Sequence, residues 1–161
     1  QARPGPLPGT RAGSASRATP NIVIVGGSNP PDNPPPAHVY QTENGTVGGG
    51  TVFESTNGGF IGSGYVNSSS NGGFAQISNV DGRGGGAKTM RIRYALGATA
   101  NRTGRVLVNG NAQNLTFTPT GAWTTWVTMN VTVNLNNNAG NVIRFESTGQ
   151  DLGNVDQIEI L

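Results

Sequence analysis

Two stretches of strict two-residue alternation constrain this chain more than any other feature. Met90, Ile92, Tyr94 and Leu96 alternate with Arg91, Arg93 and Ala95, and Val127, Met129, Val131, Val133 and Leu135 alternate with Thr128, Asn130, Thr132 and Asn134. Successive side chains of a strand point to opposite faces, so each stretch reads as a strand with one face buried and one wet. Shorter segments of the same kind lie at 73–80, 104–109, 114–118, 142–146 and 155–161. Turn clusters at 81–86, 109–111 and 136–141 separate them. The 26 glycines and the 11% of charged residues oppose long helices, and no helix is convincing. The pattern predicts an all-β protein, a β-sandwich of jelly-roll type with about eight or nine short antiparallel strands.

The pattern starts only at His38. Nine of the ten prolines fall in residues 1–37, among Gly and Ser, which is the composition of a stiff linker. Within it, 22–25 is an apolar patch expected to pack loosely on a neighbour, with a short strand as the alternative. The expected division is a linker over 1–37 and one β-domain over 38–161. With no signal-peptide pattern at Gln1, the chain reads as a piece of a longer precursor, tethered to something else.

Charge removes several function classes. The linker carries Arg3, Arg11 and Arg17 against Asp32, and the remainder carries seven basic and seven acidic residues. A neutral domain with scattered basic residues lacks the footprint of a phosphate binder, so nucleic acid is set aside. No apolar run approaches the roughly 20 residues of a membrane span. Without cysteine, neither a disulfide nor a thiolate metal site can form. The single histidine, His38, lies at the linker junction, which leaves hydrolytic triads without a base. GRGGGAKT at 82–89 resembles a phosphate loop, but a strand follows it instead of a helix, so it reads as a glycine-rich turn.

Antiparallel strands place their connections alternately at the two ends of a sandwich. Counting from the loop before Val127, that end also collects segments 65–72, 97–103 and 148–154. It thereby gathers Tyr65, Asn67, Asn101, Arg102, Trp123, Gln150, Asp151 and Asn154, while the turns at the other end carry little chemistry. Both tryptophans lie in GAWTTW at 121–126. Trp123, in a turn, is expected to stand in solvent, and Trp126, beside the strand, to be structural, a bulge near Thr125 being what would turn it inward. An exposed indole beside amides and a guanidinium can grip a sugar, the ring covering its C–H face and the polar groups bonding its hydroxyls. A generic adhesion or packing role is the alternative.

A metal site is expected separately. Asp156 shares parity with Ile158 and Ile160, which points its carboxylate inward, and no basic residue lies nearby in sequence to pair it. Gln41 and Glu43 lie two apart and share a face if that stretch is a strand, and first and last strands often pair. Three oxygen side chains suit a hard cation such as calcium, with carbonyls from 55–59 completing the shell. A hydrogen-bonded carboxylate without an ion is the alternative.

Tyr40-Gln41-Thr42-Glu43-Asn44, GFIGSGYVN at 59–67, RYALGATANRTGRVLVNG at 93–110, GAWTTW at 121–126 and GNVD at 153–156 occur in the order seen in carbohydrate-binding modules of family 35 and the related family 6. The resemblance covers residues 39–161 and departs at Thr42, where the family usually has alanine. It implies a jelly roll with a structural calcium on Gln41, Glu43 and Asp156, and a sugar site at Tyr65, Trp123 and Asn154. Members with an RYA-G-T-type stretch resemble binders of uronic acids, for which Asn101 and Arg102 would meet the sugar carboxylate. Other branches resemble binders of galactose or mannose polymers.

The expectation is a non-catalytic, secreted, monomeric module. It would carry an attached plant cell-wall-degrading enzyme to uronic-acid-containing polysaccharide such as xylan or pectin. The rivals are a small lyase or hydrolase using Asp151, and an adhesion domain.

Overall fold

The computed structural model describes residues 38–161, so residues 1–37, expected as a linker, and the apolar patch at 22–25 lie outside the described residues. Eleven strands follow in order: β1 His38–Gln41, β2 Thr46–Gly48, β3 Val52–Glu54, β4 Tyr65–Asn67, β5 Asn71–Val80, β6 Gly86–Ala95, β7 Arg102–Val108, β8 Asn111–Phe117, β9 Val127–Leu135, β10 Asn141–Thr148 and β11 Asn154–Ile160. Residues Thr42–Asn44 form a single 3₁₀ turn. The strands make two antiparallel sheets. One runs β3-β4-β11-β6-β9, with β1 also paired to β11, and the other runs β2-β5-β10-β7-β8. This is the expected β-sandwich jelly roll.

The count exceeds eight or nine because β2, β3 and β4 are three residues each, too short for a period to show in sequence. The long strands sit close to where alternation placed them, and β9 coincides with its predicted span. Met90, Ile92 and Tyr94 of β6 and Val133 and Leu135 of β9 join Ile77, Val106, Phe117, Ile143, Phe145, Ile158 and Ile160 in one buried core. First and last strands do pair, His38 opposite Ile160 and Gln41 opposite Gln157.

The plain end of the sandwich is knitted by one fully buried amide. Asn141 donates through Nδ2 to the carbonyls of Val80, Asn136 and Asn138, and its Oδ1 accepts from the Asn136 amide and from Asn109 Nδ2. Gly82 must be glycine there, since a Cβ would lie 1.9 Å from the Asn136 carbonyl oxygen.

Candidate functional site

Four connections meet at the other end. The β8–β9 connection is fastened by the Thr120 amide donating to the Leu96 carbonyl (2.9 Å) and the Leu96 amide donating to Thr120 Oγ1 (3.0 Å), which sets Trp123 against the β6–β7 connection. There the indole packs on Gly97: a Cβ at that position would fall 2.4 Å from Trp123 Cδ1. The Arg102 guanidinium lies 5.2 Å from the Trp123 ring centroid. The β10–β11 connection is pinned by Leu152, whose side chain is buried, whose amide donates to Ser68 Oγ (2.7 Å) and whose carbonyl accepts from Arg102 Nη1 (3.2 Å).

Between these elements opens a cleft of about 240 Å³, lined by Asn57, Asn67, Trp123, Asp151 and Asn154. Loop parity therefore grouped the segments correctly. Trp123 is half-buried instead of free-standing, because Gly97 lets its ring settle onto the body, yet it still forms a wall of the cleft. Asn154 also lines it. Arg102 sits behind, its guanidinium over the indole and ion-paired with Asp151. Asn101 is exposed and is not among the lining residues.

Tyr65 requires a correction. It is fully buried and offers no platform to a ligand. Its ring packs between Phe60 and Trp126, at centroid distances of 5.7 and 5.1 Å. Its hydroxyl accepts from the Asn57 amide (3.2 Å) and Asn57 Nδ2 (2.9 Å) and donates to Glu54 Oε2 (3.2 Å). Tyr65 supports the cleft from beneath. Asn57 was missed because it sits in the Gly-rich 55–64 loop, whose sequence carries no period. Asn67 and Asp151 were visible as members of the correct end; Asp151 stood out there only as the carboxylate of the rival enzyme reading, and nothing in sequence singled out Asn67.

The three oxygen-bearing residues form a second, separate cluster. Asp156 is fully buried as expected, but for another reason. A bulge sits between Val155 and Gln157 in the β11–β6 register and breaks the parity with Ile158 and Ile160, and it is the 55–64 loop that closes on the carboxylate, the Ile61 amide donating to Asp156 Oδ2 at 3.0 Å. The inference that the carboxylate lacks a basic partner is also corrected. The pairing of Gln157 with Arg93 brings a guanidinium 63 residues away in sequence into an ion pair with Asp156. Burial raises the Asp156 carboxyl above its ordinary value, and the neighbouring Glu43 adds to this, while the Ile61 amide and Arg93 act against it.

Glu43 lies in the 3₁₀ turn, not on a strand with Gln41, yet both converge on Gly62. A Cβ there would lie 2.3 Å from Glu43 Oε1 and 3.2 Å from Gln41 Oε1. Gln41 Oε1 and Glu43 Oε2 are both buried without a hydrogen-bond donor. Two carboxylates thus lie close together, with one guanidinium paired to Asp156, and two buried acceptors lack partners. An all-oxygen set with excess negative charge fits a hard cation. Among the described residues no three His, Cys, Asp or Glu side chains gather to hold a metal, and this set consists of two carboxylates and the amide of Gln41.

Trp126 lies outside the core. Its register with β6 is not bulged; β9 begins one residue later, and the indole rests on Tyr65 and over Gly59, with Nε1 donating to the Gly58 carbonyl (2.9 Å).

A two-sheet body with an indole-walled polar cleft at one end is the architecture of a carbohydrate-binding module. Residues 74–157 match the family model described as CBM13-like, alpha-galactosidase, CBM13 domain. The chain is 36% identical to a family 35 carbohydrate-binding module from Clostridium thermocellum, over 78% of this chain and 97% of that one, with a TM-score of 0.71. The chain belongs to carbohydrate-binding module family 35.

The chain is also 28% identical to the exo-beta-1,3-galactanase of Phanerochaete chrysosporium solved with galactose, over 78% of this chain and 29% of that one, with a TM-score of 0.72. Endo-1,4-beta-xylanase B of Cellvibrio japonicus (strain Ueda107) is 35% identical over 85 residues, 51% of this chain. The chain spans 14% of the length of the curated relatives it matches. Such modules thus occur joined to glycoside hydrolases. Among the described residues no helix is long and apolar enough to cross a membrane.

Proposed function

We propose that this domain is a non-catalytic module that holds an attached, secreted enzyme against plant cell-wall polysaccharide. The half-exposed Trp123 wall of the cleft carries the reading. A pyranose lies against that ring while Asn57, Asn67 and Asn154 bond its hydroxyls. The cleft contains one carboxylate, Asp151, whereas glycoside hydrolysis by the usual route needs two that face each other. Binding at a single small site is weak, and the benefit comes from tethering, which raises the local concentration of the catalytic partner at its substrate.

The ligand implied by the RYALGAT stretch is a uronic acid, with Arg102 and Asn101 meeting its carboxylate. Arg102 already pairs with Asp151, so a uronate must compete for the guanidinium. That pair favours a second reading, a neutral galactose-type sugar, and the similarity to a galactanase solved with galactose points the same way. Calcium is proposed at Gln41, Glu43 and Asp156. Bound there, it would neutralise the excess negative charge of the cluster and supply the missing partners of the two orphaned oxygens.

Affinity electrophoresis in gels carrying glucuronoxylan, polygalacturonan, galactan or mannan tests the reading. Retardation by at least one polysaccharide, abolished in Trp123→Ala while its melting curve persists, is expected. Equal mobility of the two proteins in every gel refutes it. Retardation by the acidic polymers selects the uronate reading, and retardation by galactan alone selects the neutral one.

A further inference from the structure

The 55–64 loop has no regular structure, yet five side chains from outside it hold its backbone or its Asn57. Tyr65 Oη accepts from the Asn57 amide and side chain. Trp126 Nε1 donates to the Gly58 carbonyl, Arg93 Nη2 donates to the Gly59 carbonyl (2.8 Å), Asp156 accepts from the Ile61 amide, and Glu43 Oε1 accepts from the Ser63 amide (2.8 Å). Trp126 and Arg93 are themselves stacked, the guanidinium 5.4 Å from the ring centroid. Loops with so few apolar anchors are ordinarily the low-stability parts of a fold. Here side-chain hydrogen bonds substitute for a buried core.

The near end of this loop supplies Asn57 to the cleft, and the far end rests on the Glu43–Asp156 cluster. We propose that Trp126 and Arg93 are positioning residues for sugar binding, acting through the loop to deliver Asn57 to the ligand. Asn57 itself is a contact residue that no period or motif announces. The proposal rests on the reading of the cleft as the sugar site. It gives the second tryptophan a role distinct from that of the first: Trp123 touches the sugar, and Trp126 holds the segment that does.

The physical reason is geometric. Asn57 is fastened to Tyr65 on one side only, and Gly58 and Gly59, which follow it, have no side chains with which to limit their own backbone. Tyr65 holds Asn57 at its backbone N–H and Nδ2, and fixing the next two carbonyls restricts the backbone on the other side, so that the whole residue keeps its place at the cleft. Without those bonds the amide samples orientations that do not meet a hydroxyl, and the ordering cost is charged to binding.

The test is a double-mutant cycle read by calorimetry with whichever of the four polysaccharides most retards the wild-type domain. Trp126→Phe keeps an aromatic ring on Tyr65 but removes the N–H that reaches Gly58. Asn57→Ala should weaken binding about tenfold and Trp126→Phe about three- to tenfold, the range expected for one lost hydrogen bond. The double variant should bind no more weakly than Asn57→Ala alone, since Trp126 acts only through that residue. A general loss of structure would not produce this masking. Arg93→Lys, which keeps the positive charge beside Asp156 but loses the planar fork, is the second variant should Trp126→Phe fold poorly, and the same masking by Asn57→Ala is expected. Losses that multiply, or an unchanged affinity in either Asn57→Ala or both positioning variants, overturn the proposal. Trp123→Ala separates the two levels. If it too leaves binding intact, or no polysaccharide binds at all, the cleft reading fails and this one with it; if it alone abolishes binding, only the loop proposal falls.

Discussion

Replacing Gly97 by alanine isolates the position of the Trp123 ring from its presence. The added Cβ would stand 2.4, 2.5 and 2.6 Å from Cδ1, Nε1 and Cγ of the indole. Carbon atoms in contact settle at about 3.5–4.0 Å, so the ring must withdraw by about 1 Å or more. Gly97 does not hold a left-handed backbone conformation, and alanine therefore brings no dihedral strain with it. Overpacking in a sealed core costs about 1–3 kcal/mol. Trp123 is half-exposed and can swing toward solvent, so the loss of stability should fall at the bottom of that range, about 1 kcal/mol, or about 4 °C in melting temperature for a domain of this size. Binding should suffer more. A displaced platform forfeits the stacking contact, about 1–1.5 kcal/mol, which is close to tenfold in affinity. The assays are differential scanning calorimetry, tryptophan fluorescence to register the moved indole, and affinity electrophoresis against the polysaccharide that retards the wild type. Full affinity together with a clearly shifted emission spectrum would refute the claim that this ring is the sugar platform.

Tyr65→Phe leaves the buried ring packing but strands Asn57 and Glu54 without their shared hydroxyl; denaturant unfolding should show a loss of about 1–2 kcal/mol, and an unchanged midpoint would contradict the support role. Chelation should lower the melting temperature by several degrees when calcium had been present at about a hundred times its dissociation constant, which corresponds to about 2.7 kcal/mol; superimposable melting curves with and without chelator would remove calcium from the account. Glu146 lies between Arg105 and Arg144. Burial pushes its carboxyl upward, but the hydrogen bonds and charges of the two guanidinium groups prevail and hold it below the ordinary value of 4.5. Its contribution to stability is therefore present above pH 4.5 and is lost as pH falls through the lower folded-state value. The difference in melting temperature between wild type and Glu146→Gln should shrink on acidification below that point, and a difference constant from pH 7 to pH 3 would show that the ion pairs contribute nothing.

Residues whose environment repeats along the chain were legible in the sequence. The alternation in β6 and β9 located both strands, and Met90, Ile92, Tyr94, Val133 and Leu135 are buried as it predicts, whereas at the start of β9 Met129 and Val131 are only partly buried and Val127 is exposed. Parity of connections then put Trp123, Asn67, Asp151 and Asn154 at one end, since antiparallel pairing leaves a loop only two ends to choose from. Tyr65 illustrates the limit of that method. Parity assigns a residue to an end, but it does not say whether the side chain faces the solvent or the neighbouring loop. For Tyr65 the answer came from Phe60 and Trp126, which cover it.

Asp156 marks the same boundary from the other side. That its carboxylate is buried could be expected, but the parity with Ile158 and Ile160 that suggested it is broken by the bulge, and the closure of the 55–64 loop over it could not be inferred. That Arg93 meets it could not, because the contact depends on the β11–β6 register and on the bulge at that point. Local periodicity is a property of backbone geometry and is written residue by residue, so the chain alone determined two sheets, their long strands and the end that carries the cleft. Which groups touch across loops without a period depends on distances between elements far apart in sequence. Only the folded sandwich decided that Asn57 enters the cleft, that Tyr65 lies under it, and that Trp126 and Arg93 hold the loop between them.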